Sequence, residues 1–154
     1  MITSTANAQV KQVCAYVQKA RERRKDGIFV AEGTKMFEEA PLEWIHKVYA
    51  TGQFCDRHKK DAIGAKLQKT GVEEVSEEVM AKMSDTLTPQ GILCLIKSPV
   101  YSLADLTAKQ DGVFVILEDL QDPGNLGTII RTGEGAGIAG VVMSRDTVDI
   151  FNPK

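Results

Sequence analysis

The stretch Asp122-Pro123-Gly124-Asn125-Leu126-Gly127-Thr128-Ile129-Ile130-Arg131-Thr132 decides how this chain is read. It follows Val113-Phe114-Val115-Ile116-Leu117, an apolar run long enough for a buried strand and too short for a helix. Pro123 presets φ for the second position of a turn, and Gly124 can supply the positive φ that a type II turn needs at the third. Asn125 is then placed to cap a helix in which Leu126, Ile129, Ile130 and Gly133 share one apolar face. Strand, tight turn and helix N-terminus, in that order, are where an open α/β sheet builds its binding crevice. Arg131 projects about 140° from Leu126, off the buried face. Taken alone it would pair with Glu134 at i+3 or stand solvated.

Downstream, Gly135-Ala136-Gly137-Ile138-Ala139-Gly140 spells G-x-G-x-x-G. A dinucleotide fingerprint follows a strand and opens a helix, whereas these glycines close a helix and lead into the strand Val141-Val142-Met143. They are read as a helix terminus and a packing contact, which denies a Rossmann-type reductase.

Upstream, strands alternate with helical patterns, the signature of an α/β layer fold. Asn7 caps a first helix with Val10, Val13, Cys14 and Val17 on one face, which dissolves into Lys19–Lys25. Gly27–Ala31 is a strand, Thr34–Ala40 a helix, and His46–Ala50 a second strand. A helix runs from Arg57 to about Lys69, and Gly71–Val75 is a short strand. Ser76 caps the next helix, with Val75 stapled to Met80. Ile92-Leu93-Cys94-Leu95-Ile96 is a fully apolar strand, and 97–112 reads as a hinge with one helical turn at 102–106.

The 154 residues suffice for one ordinary domain or two small ones, and 43% hydrophobic with 26% charged residues is a globular balance. No apolar run approaches the roughly 20 residues of a membrane span, and no secretory signal is visible. Cys14, Cys55 and Cys94 are odd in number and widely separated, which suits reduced thiols of a cytoplasmic protein. His46 and His58 lack partners at ligand spacing, so no metal site is expected.

The net charge of −2 hides a local concentration. Residues 1–25 carry six basic side chains against Glu22 alone, and Arg21, Arg23, Arg24 and Lys25 crowd into five positions. Two readings stand: cations that complement a helix C-terminus and solvate the surface, or a patch that holds an RNA backbone.

Asp-Pro-x-Asn-x-Gly-x-x-x-Arg-Thr, after a strand ending in acidic residues, resembles the first motif of the SpoU/TrmH-type RNA ribose 2'-O-methyltransferases of the knotted SPOUT superfamily. Gly-x-Phe-Val-Ala-Glu-Gly at 27–33, followed by a helix, resembles the start of the small substrate-binding domain that precedes many such catalytic domains. The resemblance implies an α/β protein. A ribosomal-protein-like α/β/α sandwich would occupy 1–97, a linker 98–112, and the first part of a knotted, Rossmann-like SPOUT domain 113–154. It implies ribose methylation of RNA, rRNA rather than tRNA, with S-adenosylmethionine as donor and a homodimer as the full-length assembly.

The resemblance also assigns roles. Arg131 would bind the neighbouring phosphate and orient the 2'-hydroxyl; the family also assigns it a part in removing the hydroxyl proton. A guanidinium with a pKa above about 12 is a demanding base, which leaves orientation as the role we carry forward. Asn125 would position substrate or the loop, and Glu118 would lie near the same crevice. After Val141-Val142-Met143-Ser144 the chain reaches Lys154 without the two further family motifs that form the knot, the donor pocket and much of the dimer interface. The expectation is a chain that neither binds the methyl donor nor acts alone. The alternative is a non-catalytic RNA-binding module built on 1–97.

Overall fold

The computed structural model describes residues 1–107 and 111–152; residues 108–110 of the expected linker, and Pro153 and Lys154, lie outside the described residues. Contacts divide the chain into two units, Met1–Pro99 and Val100–Asn152.

In the first unit, α1 (Ala8–Gln18) starts at Asn7, whose side chain accepts from Gln9 N at 2.8 Å. Lys19 is extended, so the first helix ends there and α2 (Ala20–Asp26) begins anew instead of fraying. There follow β1 (Ile28–Glu32), α3 (Thr34–Glu39), a 3-10 turn (Leu42–Trp44) and β2 (Ile45–Thr51). Next come α4 (Gly52–Arg57), α5 (Ala62–Thr70), β3 (Glu73–Val75), α6 (Glu77–Met83) and β4 (Ile92–Lys97). The helix expected from Arg57 to about Lys69 starts only at Ala62, as α5, and Arg57 instead ends the separate helix α4. Thr51 caps α4 by accepting from Phe54 N, and Asp61 caps α5 by accepting from Gly64 N at 3.0 Å.

The sheet order is β1-β4-β2-β3, with β4 antiparallel to both neighbours and β2 parallel to β3. The position of β4 explains its composition. Leu93 and Leu95 pack with Val10 and Val13 of α1 and Val79, Met80 and Met83 of α6. Ile92, Cys94 and Ile96 pack on the opposite face with Phe37 of α3, Phe54 of α4, and Ile63 and Leu67 of α5. A strand buried on both faces has no place for a polar residue, and the result is the α/β/α sandwich. Phe37 and Phe54 are wholly buried and contribute roughly 1.5–3 kcal/mol each through the area withdrawn from water. Met80 joins Val75 in one cluster behind Ser76, whose hydroxyl accepts from Val79 N.

The second unit holds α7 (Leu103–Thr107), β5 (Phe114–Leu117), α8 (Pro123–Gly135) and β6 (Gly140–Met143). β5 and β6 are parallel, from Phe114↔Gly140 to Leu117↔Met143, with α8 as the crossover. Two corrections to the sequence reading arise here. The helix begins at Pro123, so Gly124 is no type II turn glycine, and Asp122 rather than Asn125 is the N-cap, accepting from Asn125 N at 2.6 Å. Proline has no N–H to orphan and its fixed φ suits the first helical position, which gives the cap to the residue before it. In addition, Ile116 is 76% exposed, because this sheet has two strands among the described residues and β5 is not covered on both faces. The glycines after α8 behave as a helix terminus: Gly137 has φ 73°, and Ile138 N returns to Gly133 O at 3.0 Å.

Candidate functional site

At the carboxyl ends of β5 and β6 the motif residues of α8 come together. Asp122 fixes the first turn, and Thr128 Oγ1 donates to Gly124 O at 2.9 Å. Arg131 Nη2 donates to Thr128 Oγ1 at 3.3 Å. Its guanidinium therefore reaches back along the helix over Gly127, where a Cβ would stand 3.2 Å from Arg131 Nη1. Helical side chains lean toward the N-terminus, and the missing Cβ at 127 lets this one lie close to the backbone. Arg131 is exposed and forms no ion pair with Glu134 among the described residues. Asn125 is exposed in the first turn of α8, and Glu118 is exposed where β5 ends. A cation with a fixed fork of donors thus stands exposed over the second turn of α8, and such a fork can recognise a phosphate or a hydroxyl next to one.

A second constellation at the same strand ends escaped the sequence reading. Asp119 adopts φ 50°, and its N–H donates to Ser144 Oγ at 2.9 Å. Ser144 Oγ in turn donates to Asp119 Oδ1 at 3.0 Å and lies 3.1 Å from Thr147 Oγ1. Gln121 Nε2 donates to the carbonyls of Asp119 and Asp146 at 3.2 and 2.8 Å. These bonds tie the loop that delivers Asp122 to the loop that follows β6. The left-handed backbone is tolerated because aspartate visits that region more readily than most residues. Nothing in the local sequence marks the partnership, since Asp119 and Ser144 stand 25 positions apart.

S-Adenosylmethionine would need a slot for adenine and free acceptors for ribose hydroxyls. Ser144 and Thr147 at these strand ends are occupied with Asp119 and with each other. The cavity of about 480 Å³ in the second unit surrounds Ala139–Val142 with Tyr101 and Leu106, at the opposite end of β6 from Ser144.

The basic patch of the first unit is rearranged. Arg23 is 4% exposed and its Nη1 donates to Tyr16 O at 2.5 Å and Val17 O at 3.1 Å, closing the C-terminal end of α1. It leaves the surface patch because the break at Lys19 frees those carbonyls for a side-chain donor. Arg21, Arg24 and Lys25 are exposed on α2. Of the histidines, His46 is exposed, and His58 Nδ1 lies 2.6 Å from Asp61 Oδ2. The Asp61 carboxyl is held below its ordinary pKa, chiefly by the Gly64 N–H and then by His58. Burial pushes the Cys94 thiol up to about 12. No cluster of three metal-ligating side chains occurs among the described residues, and none of the described helices is long and apolar enough to cross a membrane.

Residues 7–94 match the MRM3-like substrate binding domain, and residues 112–154 match the SpoU rRNA Methylase family. The chain belongs to the SpoU/TrmH methyltransferase family. Among SpoU relatives, it is 34% identical to an uncharacterized tRNA/rRNA methyltransferase of Synechocystis, over 99% of this chain and 56% of that protein. It is 34% identical to the 23S rRNA (guanosine(2553)-2'-O)-methyltransferase RlmP of Bacillus subtilis, over 99% of this chain and 58% of that protein. The crystal structure of an AdoMet-bound rRNA methyltransferase from Sinorhizobium meliloti superposes with a TM-score of 0.81 at 31% identity, covering 99% of this chain and 57% of that one. The chain thus has the SPOUT methyltransferase fold of these proteins, and it spans somewhat more than half the length of the SpoU relatives it matches.

Proposed function

We propose that this chain is the RNA-holding portion of a methyltransferase that transfers a methyl group from S-adenosylmethionine to a ribose 2'-hydroxyl of rRNA. The observation that carries this reading is the guanidinium of Arg131, laid over Gly127 and steadied by Thr128 in the second turn of α8. The reaction is a displacement in which the hydroxyl oxygen attacks carbon, so the hydroxyl must be oriented while the adjacent phosphate is held. Arg131 supplies that hold through paired N–H donors, and Asn125 offers its carboxamide to the same nucleotide. Arg21, Arg24 and Lys25 contact the RNA backbone, and Glu118 borders the crevice at Arg131. Arg23 is assigned to folding instead. The RlmP protein supports an rRNA substrate by its similarity, and the AdoMet-bound relative supports the donor. A homodimer and a cytoplasmic location accord with this reading.

On the described residues alone, this chain is inferred to bind RNA without binding the donor. Calorimetric titration with S-adenosylmethionine tests this, and micromolar affinity for the 154-residue chain would overturn it. In the whole protein, Arg131→Ala abolishes transfer of labelled methyl to rRNA while RNA binding persists; unimpaired transfer would refute the assignment. A non-catalytic RNA-binding module is the second reading, favoured if the whole protein binds rRNA and the labelled methyl never reaches it.

A further inference from the structure

The first unit carries a groove that neither the basic patch nor the motif helix uses. It is lined by Phe29 of β1, Met36 and Glu39 of α3, Pro41, Trp44 of the 3-10 turn and Ile96 of β4, with a volume of about 180 Å³. Trp44 is 36% exposed and Met36 46% exposed, while Ile96 forms its apolar floor from within the core. Its walls are apolar except for the Glu39 carboxylate, which is exposed and, among the described residues, pairs with Lys35 Nζ at 3.8 Å.

Strand register brings cations to the same end of the sheet. Ile96 pairs with both Phe29 and Ile45, the residue after Trp44, so the groove lies where β1 and β2 begin and β4 ends. Lys97 pairs with Ile28 there and is exposed, and Arg24 and Lys25 are exposed on the last turn of α2, with Asp26 and Gly27 between them and β1. An apolar slot floored by an aliphatic residue, walled by an indole and flanked by cations matches single-stranded RNA. A base stacks on the aromatic face while its phosphates follow the positive charge.

We propose that this groove is a nucleobase pocket, in which one unpaired base of the RNA stacks on Trp44. Glu39 confers a preference for guanine, because a carboxylate accepts from N1–H and N2–H of guanine and has no such pair of donors to meet on adenine. The proposal rests on the RNA reading given above, and it adds a base-specific contact to a domain otherwise equipped for phosphate.

Trp44 is the single tryptophan of the chain, so its fluorescence reports this groove alone. The test titrates the 154-residue chain with end-labelled oligoribonucleotides, following label anisotropy and tryptophan emission together. Saturable quenching is expected with an unpaired guanine-containing strand and not with an abasic ribose-phosphate strand of equal length. Trp44→Leu should weaken binding of the base-containing strand about tenfold, Trp44→Phe should recover part of the loss, and Glu39→Gln should erase the preference for guanine over adenine. RNA binding by anisotropy with unchanged emission would overturn the pocket and leave the RNA reading standing. Absence of any binding would overturn both. Quenching that grows with protein concentration and not with RNA would assign the groove to a second copy of the chain and overturn the proposal.

Discussion

The guanidinium of Arg131 lies against the bare backbone of Gly127, with 3.2 Å between its Nη1 and the position a Cβ would take there. The residue identity at 127 therefore sets the position of the side chain at 131. Gly127→Ala should shift the guanidinium by a few tenths of an ångström or more. Alanine is the better helix former by about 1 kcal/mol, so the substitution should leave stability unchanged or raised. Methyl transfer by the whole protein should fall roughly tenfold or more, since small misplacements at a reacting centre are costly. Melting temperature and methylation rate measured on one preparation check the opposed signs.

The same substitution at another helical glycine should behave in the reverse way. A Cβ on Gly64 would stand 2.0 Å from the backbone oxygen of His58, which cannot swing aside as a side chain can. Gly64→Ala should destabilise the first unit by about 1–3 kcal/mol through overpacking. Denaturant unfolding reads this directly, and an unchanged midpoint would refute the geometry.

Arg23 and Arg24 are neighbours with separate duties. Arg23→Met removes a buried donor from two carbonyls and should cost about 1.5–3 kcal/mol of stability. Arg24→Ala should leave stability intact, weaken RNA binding, and make the salt slope of binding shallower by about 0.7, the share of one phosphate neutralised on a single strand. A binding isotherm at several salt concentrations separates the two.

Asp61 gives the first unit an acid-sensitive helix start. Its folded pKa lies below the ordinary 3.8, so the cap's contribution is whole above that value and is lost as pH falls through the lowered one. The protection of the Ile63–Lys66 amides, their exchange rate corrected for the intrinsic pH dependence, should therefore fall as the solution is taken below about pH 4. In Asp61→Ala the same amides should show low protection throughout, without that acid step.

Burial holds the Cys94 thiol at about 12, so maleimide at neutral pH should leave it unmodified in the native protein and label it after unfolding. Mass spectrometry of the labelled peptides distinguishes it from Cys14 and Cys55, which are half-buried.

Some of this molecule is legible in the sequence because its causes are local. Ile92–Ile96 reads as a doubly buried strand since no residue in it could face water, and Asn7 and Ser76 announce their helices through single side-chain bonds. At Asp122 and Asn125 two capping residues stand three apart, and the choice between them turns on which role proline takes, first helical residue or turn corner. Arg23 is unreadable as a buried side chain, because its partners exist only once Lys19 has broken the helix. The Trp44 groove is hidden for a larger reason: it requires β1, β4 and β2 to meet in that order, and no local pattern encodes strand order. The Asp119–Ser144 tie depends likewise on the parallel register of β5 with β6.

The buried Arg23 has a consequence for the thermodynamics of binding. Its grip on the last carbonyls of α1 fixes the corner at which α2 departs, so Arg21, Arg24 and Lys25 project from a frame already settled before RNA arrives. In the proposed RNA complex, a strand meeting them would restrict side-chain rotations alone and would not have to freeze a mobile helix. The entropy lost on such an association would be correspondingly smaller.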